Sequence, residues 1–354
     1  MTSPKPRGAI IGCGDISPSH LKSYDEAGIE LVAVCDLIRE RAEKRRTESG
    51  GTAVVYLDAA EMIATERLDF VTVAVPVASH IPLTLMALKA GKHVLCEKPS
   101  ALDINENRAV VAAAKAAGRQ VAFFSSRMRW GYVPMAKRLI SEGRLGQIYR
   151  VDVRFARRRG RPGVDIIQHA KWFVDQGLAG GGVIMDMGQY FMDTVMELTG
   201  WPTVTGVSAT TFRGHAHALP PGTTFDVEEH CTILARTKQN IALSFDLAWI
   251  GHHESRMQVS VLGTKGGVHI DMQAAAGKPP FVFMHDGASD WEQLDTTTTW
   301  SDKTSGNTHV YQDFLAAIAG KGPPVGTTPE QAVAITALTT AALTSAREGR
   351  EVAV

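Results

Sequence analysis

Arg7-Gly8-Ala9-Ile10-Ile11-Gly12-Cys13-Gly14-Asp15-Ile16-Ser17 runs from an apolar strand into a glycine turn, and Ser19 to Ala27 beyond it has the pattern of a helix. A turn between strand and helix needs Gly12 for its tight bend. At Gly14 the missing side chain lets the main chain approach a pyrophosphate, with Asp15 and Ile16 leading into the helix N-terminus that favours such a charge. Ser17 stands where the strict fingerprint has a third glycine, and it is small enough to let helix pack on strand. The glycines alone decide little.

The segments after them decide more. A second apolar strand, Glu30 to Cys35, ends at Asp36, about 20 residues beyond Gly14, where an acid bonds the ribose hydroxyls of a dinucleotide. A carboxylate there repels a 2′-phosphate, so the expected cofactor is NAD; Arg39 and Arg41 nearby leave NADP possible. Asp36 can also be read as the cap of a helix over 39–48. Strands near 53–56, 69–75, 93–96 and 120–124 then alternate with helices over 58–65, 81–90 and, capped by Asp103, up to Ala117. Such alternation means βαβ units and a doubly wound parallel sheet, here closing near residue 127. Pro76 and His80 fall on the carboxyl edge of that sheet and could line the nicotinamide pocket. So does Lys98, in Val94-Leu95-Cys96-Glu97-Lys98-Pro99, where open α/β sheets place their ligands. An ammonium there can stabilise a developing alkoxide, and Glu97 is read as holding the lysine or a main-chain donor in place.

Bulk properties narrow the partners. The 354 residues suggest two domains, 1–127 and 128–354. Lys+Arg and Asp+Glu both number 37, so the net charge is zero and gives no footprint for nucleic acid or an anionic membrane. No apolar run reaches the about 18 residues that would span a bilayer, and the start lacks a signal-peptide pattern, so the expected location is the cytoplasm. Cys13, Cys35, Cys96 and Cys231 show no paired spacing, which argues against disulfides and metal sites.

From Met128 the pattern changes to a helix over 132–142, a long alternating strand over 147–157 and a basic run, Arg157-Arg158-Arg159-Gly160-Arg161, read as a solvated loop. Short strands over 204–212, 228–235, 241–248, 257–262 and 268–271 predict a large open sheet that is mostly antiparallel. The tail returns to helices over 309–319 and, capped by Thr328, 329–347, which are expected to pack back against the first domain. Between these lies Gly180-Gly181-Gly182-Val183-Ile184-Met185-Asp186-Met187-Gly188-Gln189-Tyr190, helical in pattern after its glycines, so that Asp186 and Tyr190 share one face. His169 and Trp172, just before it, are candidate substrate contacts, because sugars pack on aromatic rings and bond to imidazoles.

Taken together, Gly12-Cys13-Gly14 with His20 downstream, Ala90-Gly91-Lys92-His93-Val94 running into Glu97-Lys98-Pro99, and Gly180-Gly181-Gly182 through Asp193 resemble the glucose-fructose oxidoreductase, inositol dehydrogenase and MocA (Gfo/Idh/MocA) family over essentially the whole chain. The resemblance implies a Rossmann domain, a second domain with an open mixed sheet, NAD or NADP, sugar-like or cyclitol substrates, and a homodimer or homotetramer. It also implies that Lys98 lies beside the nicotinamide and that the Lys98-Pro99 bond is cis. Where the family often has histidine this chain has Tyr190, as some members do. A phenol beside a cation gives up its proton more readily, so Tyr190 is read as the acid/base, Lys98 as its electrostatic partner and Asp186 as the acceptor that orients a substrate hydroxyl. The expected function is a dehydrogenase or reductase of secondary alcohols. A glycosidase working by transient oxidation and a non-catalytic NAD sensor are the alternatives.

Overall fold

Short apolar strands alternating with helices have one economical arrangement, a parallel sheet with helices on both faces. A computed structural model of the protein describes residues 4–125, 132–215, 219, 224–273, 281–285, 306–322 and 326–354. The first half gives β1 (Arg7–Ile11), α1 (Ser17–Glu26), β2 (Glu30–Cys35), α2 (Arg39–Glu48), β3 (Val54–Tyr56), α3 (Ala59–Thr65), β4 (Phe70–Val73), α4 (His80–Lys89), β5 (His93–Cys96), α5 (Ile104–Ala117) and β6 (Val121–Phe123). The six strands lie in the order β3-β2-β1-β4-β5-β6, all parallel. Strand order reverses between β1 and β4, and that switch point opens a crevice at the carboxyl ends of both strands.

Local chemistry sets the helix boundaries. Asp103 and Glu106 form a reciprocal capping box that starts α5, and Gly118 ends it in the left-handed conformation. Asp58 caps α3 by accepting the Glu61 N–H. Every residue of β4 is buried, as expected of a central parallel strand covered on both faces. On one face Ile11, Val71, Val73, Val94 and Cys96 pack against Met62, Ile81, Leu88 and Val110 from α3, α4 and α5. On the other, Ile10, Phe70 and Leu95 meet Tyr24 of α1 and Tyr311 and Phe314 of a late helix, Gly306–Ile318 (α9 in chain order).

The remaining elements are α6 (Val133–Ser141), β7 (Ile148–Ala156), the short α7 (Gln176–Ala179), α8 (Gln189–Leu198), β8 (Val204–Phe212), β9 (His230–Thr237), β10 (Ala242–Ala248), β11 (Arg256–Gly263), β12 (Gly266–Asp271), β13 (Phe281–His285), α10 (Pro329–Glu348) and β14 (Val352–Ala353). Eight strands form one sheet in the order β13-β12-β11-β7-β10-β9-β8-β14. Only β7 and β10 run parallel; the other neighbours are antiparallel. Alternation along β9 is strict: Cys231, Ile233 and Ala235 are buried, whereas Thr232, Leu234 and Arg236 are exposed. The mostly antiparallel second sheet and the Rossmann-type first sheet are those the sequence predicts. Strands β13 and β14 are additions to that reading, and β9 begins at His230, since Glu228 and Glu229 are engaged elsewhere.

The chain divides into two compact units, Met1–Ser126 with Lys303–Thr336, and Arg127–Asp302 with Ala337–Val354. Among the described residues no helix is long and apolar enough to cross a membrane.

Gly12 carries the tightest main-chain approach of the first sheet's carboxyl edge. Its φ is +100°, and a Cβ built on it would sit 2.1 Å from the Ala74 carbonyl oxygen. Gly12→Ala is therefore expected to lower the urea unfolding midpoint, by the equivalent of about 1–3 kcal/mol for overpacking. A midpoint equal to that of the native chain would show that this turn moves freely off Ala74.

Candidate active site

The glycine turn is held from below by its neighbours. Gly12 N–H donates to the Cys35 carbonyl at 2.8 Å, Cys13 N–H to Asp36 Oδ2 at 2.8 Å, and Ser17 Oγ to the Gly14 carbonyl at 2.6 Å. Ser17 is buried, so it fills the packing role of the missing glycine and also ties the turn to the helix. Asp15 and Ile16 are exposed, and no side chain caps α1. Asp36 does not cap α2, whose cap residue is Ile38 without a side-chain bond; its Oδ1 instead accepts the Ile38 N–H at 2.8 Å. The carboxylate is half-buried at the end of β2, and each oxygen keeps a second lone pair for another donor.

Sequence reasoning passed over Arg45. It is buried under the turn, with Nε 3.4 Å from the Cys13 carbonyl and Nη2 3.4 Å from that of Gly14, and it pairs with Glu48. Its position in a charged helix, among Arg39, Arg41 and Arg46, gave no sign that one arginine turns inward. Arg39 and Arg41 are exposed.

Further along the same edge, Pro76 is exposed at the start of a 3-10 turn, Val77–Ser79. His80 is buried, with Nδ1 2.8 Å from the Pro99 carbonyl and Nε2 2.7 Å from that of Val75. Its ring thus ties together the chain leaving β4 and the chain leaving β5. Burial pulls its pKa below the ordinary histidine value, against the two carbonyls and Glu97, which pull it up. Lys98 is half-buried beyond β5, its N–H donates to Glu97 Oε2 at 3.0 Å, and the Lys98-Pro99 bond is cis.

In the second unit the decisive feature is a helix with two breaks in its burial. From Gly181 to Met196 every residue is buried except Asp186 and Tyr190. The segment starts as a π-helical turn, Ile184–Gly188, and continues as α8. Such widened turns are rare and recur at functional sites; the sequence pattern predicted only an ordinary helix. Trp249, wholly buried, donates its indole N–H to Asp186 Oδ2 at 2.9 Å. Glu228 anchors the start of the turn: its carboxylate accepts the N–H groups of Gly182 and Ile184 at 2.8–3.0 Å, and its carbonyl accepts that of Val183 at 3.2 Å. A Cβ on Gly182 would fall 1.9 Å from that carbonyl oxygen, so only glycine permits the contact. Burial raises the Glu228 carboxyl above its usual range, although these N–H groups oppose the shift.

Arg161 departs from the reading of the basic run as a solvated loop, whereas Arg158 and Arg159 are exposed. Arg161 is wholly buried, with Nε 2.8 Å from Asp165 Oδ2 and Nη1 2.9 Å from Glu229 Oε1. Burial would raise the Asp165 carboxyl, but its bonds to Arg161 and Arg159 hold it far below the usual range. His169 is exposed, and Trp172 is half-buried and stacked on Phe173 with ring centroids 3.8 Å apart. Burial lifts the Cys13 and Cys35 thiols to about 12, with Asp36 adding to the rise, so neither is a thiolate at neutral pH. Among the described residues no group of His, Cys, Asp and Glu could hold a metal ion.

Comparison with known proteins agrees with this fold. The profile described as "Oxidoreductase family, NAD-binding Rossmann fold" matches residues 7–124, and the "GFO/IDH/MocA C-terminal domain" matches residues 133–269. The chain belongs to the Gfo/Idh/MocA oxidoreductase family. D-glucoside 3-dehydrogenase of Escherichia coli is 33% identical over 280 residues, 75% of this chain and 77% of the relative. D-apiose dehydrogenase of Paraburkholderia graminis is 26% identical across 98% of this chain and 89% of its own. Among solved structures, the WlbA dehydrogenase of Bordetella pertussis, crystallised with NADH and UDP-GlcNAcA, superposes with a TM-score of 0.82 over 99% of both chains at 23% identity.

The Rossmann domain matched here is NAD-binding, and the residues present fit that cofactor. A Cβ at Gly14 would meet no protein atom within 4 Å, so the main chain there is open to a ligand. The turn runs into the N-terminus of α1, whose dipole favours the charge of a diphosphate, and the Asp36 carboxylate offers acceptors to a ribose. Losing a hydrogen bond to a charged group costs about 1.5–3 kcal/mol. Asp36→Ala is accordingly expected to weaken NADH binding about tenfold or more while affecting NADPH less, as read by nicotinamide fluorescence titration. The reverse ranking would mark the chain as an NADP enzyme.

Proposed function

We propose that this oxidoreductase is an NAD-dependent dehydrogenase or reductase acting on a secondary alcohol of a sugar, sugar derivative or cyclitol. The names of its relatives support the substrate class, D-glucoside 3-dehydrogenase and D-apiose dehydrogenase among them. What carries the assignment of chemistry to residues is the helix face on which Asp186 and Tyr190 alone escape burial between Gly181 and Met196.

Glycines 12 and 14, Asp15, Ile16 and Asp36 would hold the dinucleotide, with Pro76 and Glu97 along the same edge. When bound, its nicotinamide supplies the acceptor or donor of a hydride. The substrate hydroxyl must lose a proton as its carbon loses a hydride, and Tyr190 Oη exchanges that proton. The Lys98 ammonium stabilises a developing alkoxide. Asp186, one oxygen fixed by the Trp249 indole, orients a second substrate hydroxyl with the other. Trp172 offers a half-buried ring for the apolar face of a sugar, and His169 an imidazole for its hydroxyls. The absence of net charge supports a small-molecule partner rather than nucleic acid or an anionic membrane. Membership of the family supports a homodimer or homotetramer.

Purified protein given NAD and a panel of cyclitols, aldoses and glycosides is expected to reduce the nicotinamide with at least one of them, followed by absorbance. Lys98→Ala should abolish that turnover while NADH still binds; a variant that turns over would remove the lysine from the mechanism. Tyr190→Phe should slow it by about 100-fold or more, the contribution of a lost acid/base. A rate equal to that of the native chain would assign the proton to another group.

A further inference from the structure

Beside Lys98 runs a chain of buried polar groups that, apart from Glu97 at its end, the reaction above does not use. His20, on α1, is wholly buried, edge-on to Phe124 with centroids 4.9 Å apart. Its Nδ1 lies 2.9 Å from Tyr311 Oη, and its Nε2 faces Glu97 Oε1 at 3.3 Å. Tyr311 Oη is 3.0 Å from Thr72 Oγ1, Thr72 Oγ1 is 3.0 Å from Tyr24 Oη, and Tyr24 donates to the Ala9 carbonyl at 3.2 Å. At the other end, Glu97 Oε2 is the oxygen that accepts the Lys98 N–H. Every member belongs to the first compact unit.

We propose that His20 is a positioning residue for Lys98, fixing the Glu97 carboxylate and, through it, the main chain from which the lysine side chain extends. This rests on the reading of Lys98 given above. A carboxylate accepts and cannot donate, so the ring presents N–H at Nε2 whatever its total charge, and the Tyr311 hydroxyl meets the other nitrogen. One oxygen of Glu97 thereby faces His20 Nε2 at ion-pair distance, without an aligned hydrogen bond, and the other accepts the Lys98 N–H. The chain ends on β1, the strand that leads into the glycine turn, so Lys98 and the turn take their places from one frame. Burial pushes the Glu97 carboxyl up, but the His20 contact and the charges of His20 and Lys98 outweigh it and hold the group below the usual carboxylate range, where it remains an acceptor. Packing alone does not call for such a chain. Apolar side chains of similar volume would fill this space at no desolvation cost, so what the polar groups add is a fixed orientation.

Two substitutions separate orientation from packing. His20→Gln keeps an amide N–H near the Nε2 position, whereas His20→Asn reaches only toward Tyr311. Lysines are labelled by reductive methylation with 13C-formaldehyde, and the dimethyl-Lys98 signal is assigned by its loss in Lys98→Arg. The expected result is a shifted Lys98 signal in His20→Asn and a near-native one in His20→Gln. Turnover should follow, falling about tenfold or more in His20→Asn through kcat, with NADH affinity within about threefold, and recovering in His20→Gln. Tyr311→Phe, which keeps the ring and its packing, should move the signal in the same direction by less. A Lys98 signal unmoved in His20→Asn, or moved equally in both His20 variants, overturns the proposal. Because that signal is read without turnover, an active Lys98→Ala would defeat the role given to the lysine while leaving the coupling to His20 to be judged on the signal.

Discussion

The contact between Gly12 and the main chain of Ala74 is the constraint on which the cofactor half depends. β1 must leave the sheet beside β4 without a side chain between them, and only then can its N–H reach Cys35 and bring the end of β2 alongside. Three strand ends are tied at one point, and the open space beside Gly14 follows from that tie. Asp36 is placed by the same bonds, since its carboxylate accepts the Cys13 N–H within the turn. The crevice at the switch point is a consequence of where strands end as much as of where they pair.

The second unit solves a different problem, how to keep a polar pair accessible on an otherwise buried helix. Burial of fourteen or so neighbouring groups drives the segment 181–196 into the interior, and that same burial would smother Asp186 and Tyr190 were its start free to rotate. Glu228 prevents rotation by bonding the first N–H groups of the turn, which a helix start leaves without partners. Trp249 then removes the remaining freedom of Asp186. Two residues far along the chain therefore determine the direction of a motif whose own sequence contains neither.

Much of the fold was legible because it rests on local signals. Alternating apolar runs and the Asp103 cap of α5 each act within a few residues, and the elements of the first sheet fell where these signals put them. The glycine turn and the acid after β2 were legible for the same reason. What escaped the sequence depends on partners distant in the chain. Arg161 reads as one more charge in a solvated run because Asp165 and Glu229, which compensate its burial, are recognised as its partners only once the strands are paired. Arg45 reads as one more surface charge, and Trp249 as one more strand-end aromatic. Strand β14 is too short for periodicity to register and exists because β8 offers it an edge. The π-helical turn leaves no mark in composition, since its residues suit an α-helix equally well.

That widened turn bears on how such a protein can change. An α-helix advances by about 100° per residue, and a π-turn accommodates one residue more than an α-turn between its bonded groups. Loss of a single residue between Gly182 and Gln189 would let the segment relax into an uninterrupted α-helix, still apolar and still anchored at Glu228. The elements would pair as before and α8 would keep its direction, because a π-turn with its extra residue and an α-turn without it each complete about one revolution; what would change is which of the turn's own side chains stands where Asp186 now shares a face with Tyr190. In this chain the length of one helical turn is a register mark, and chemistry is more sensitive to it than stability is.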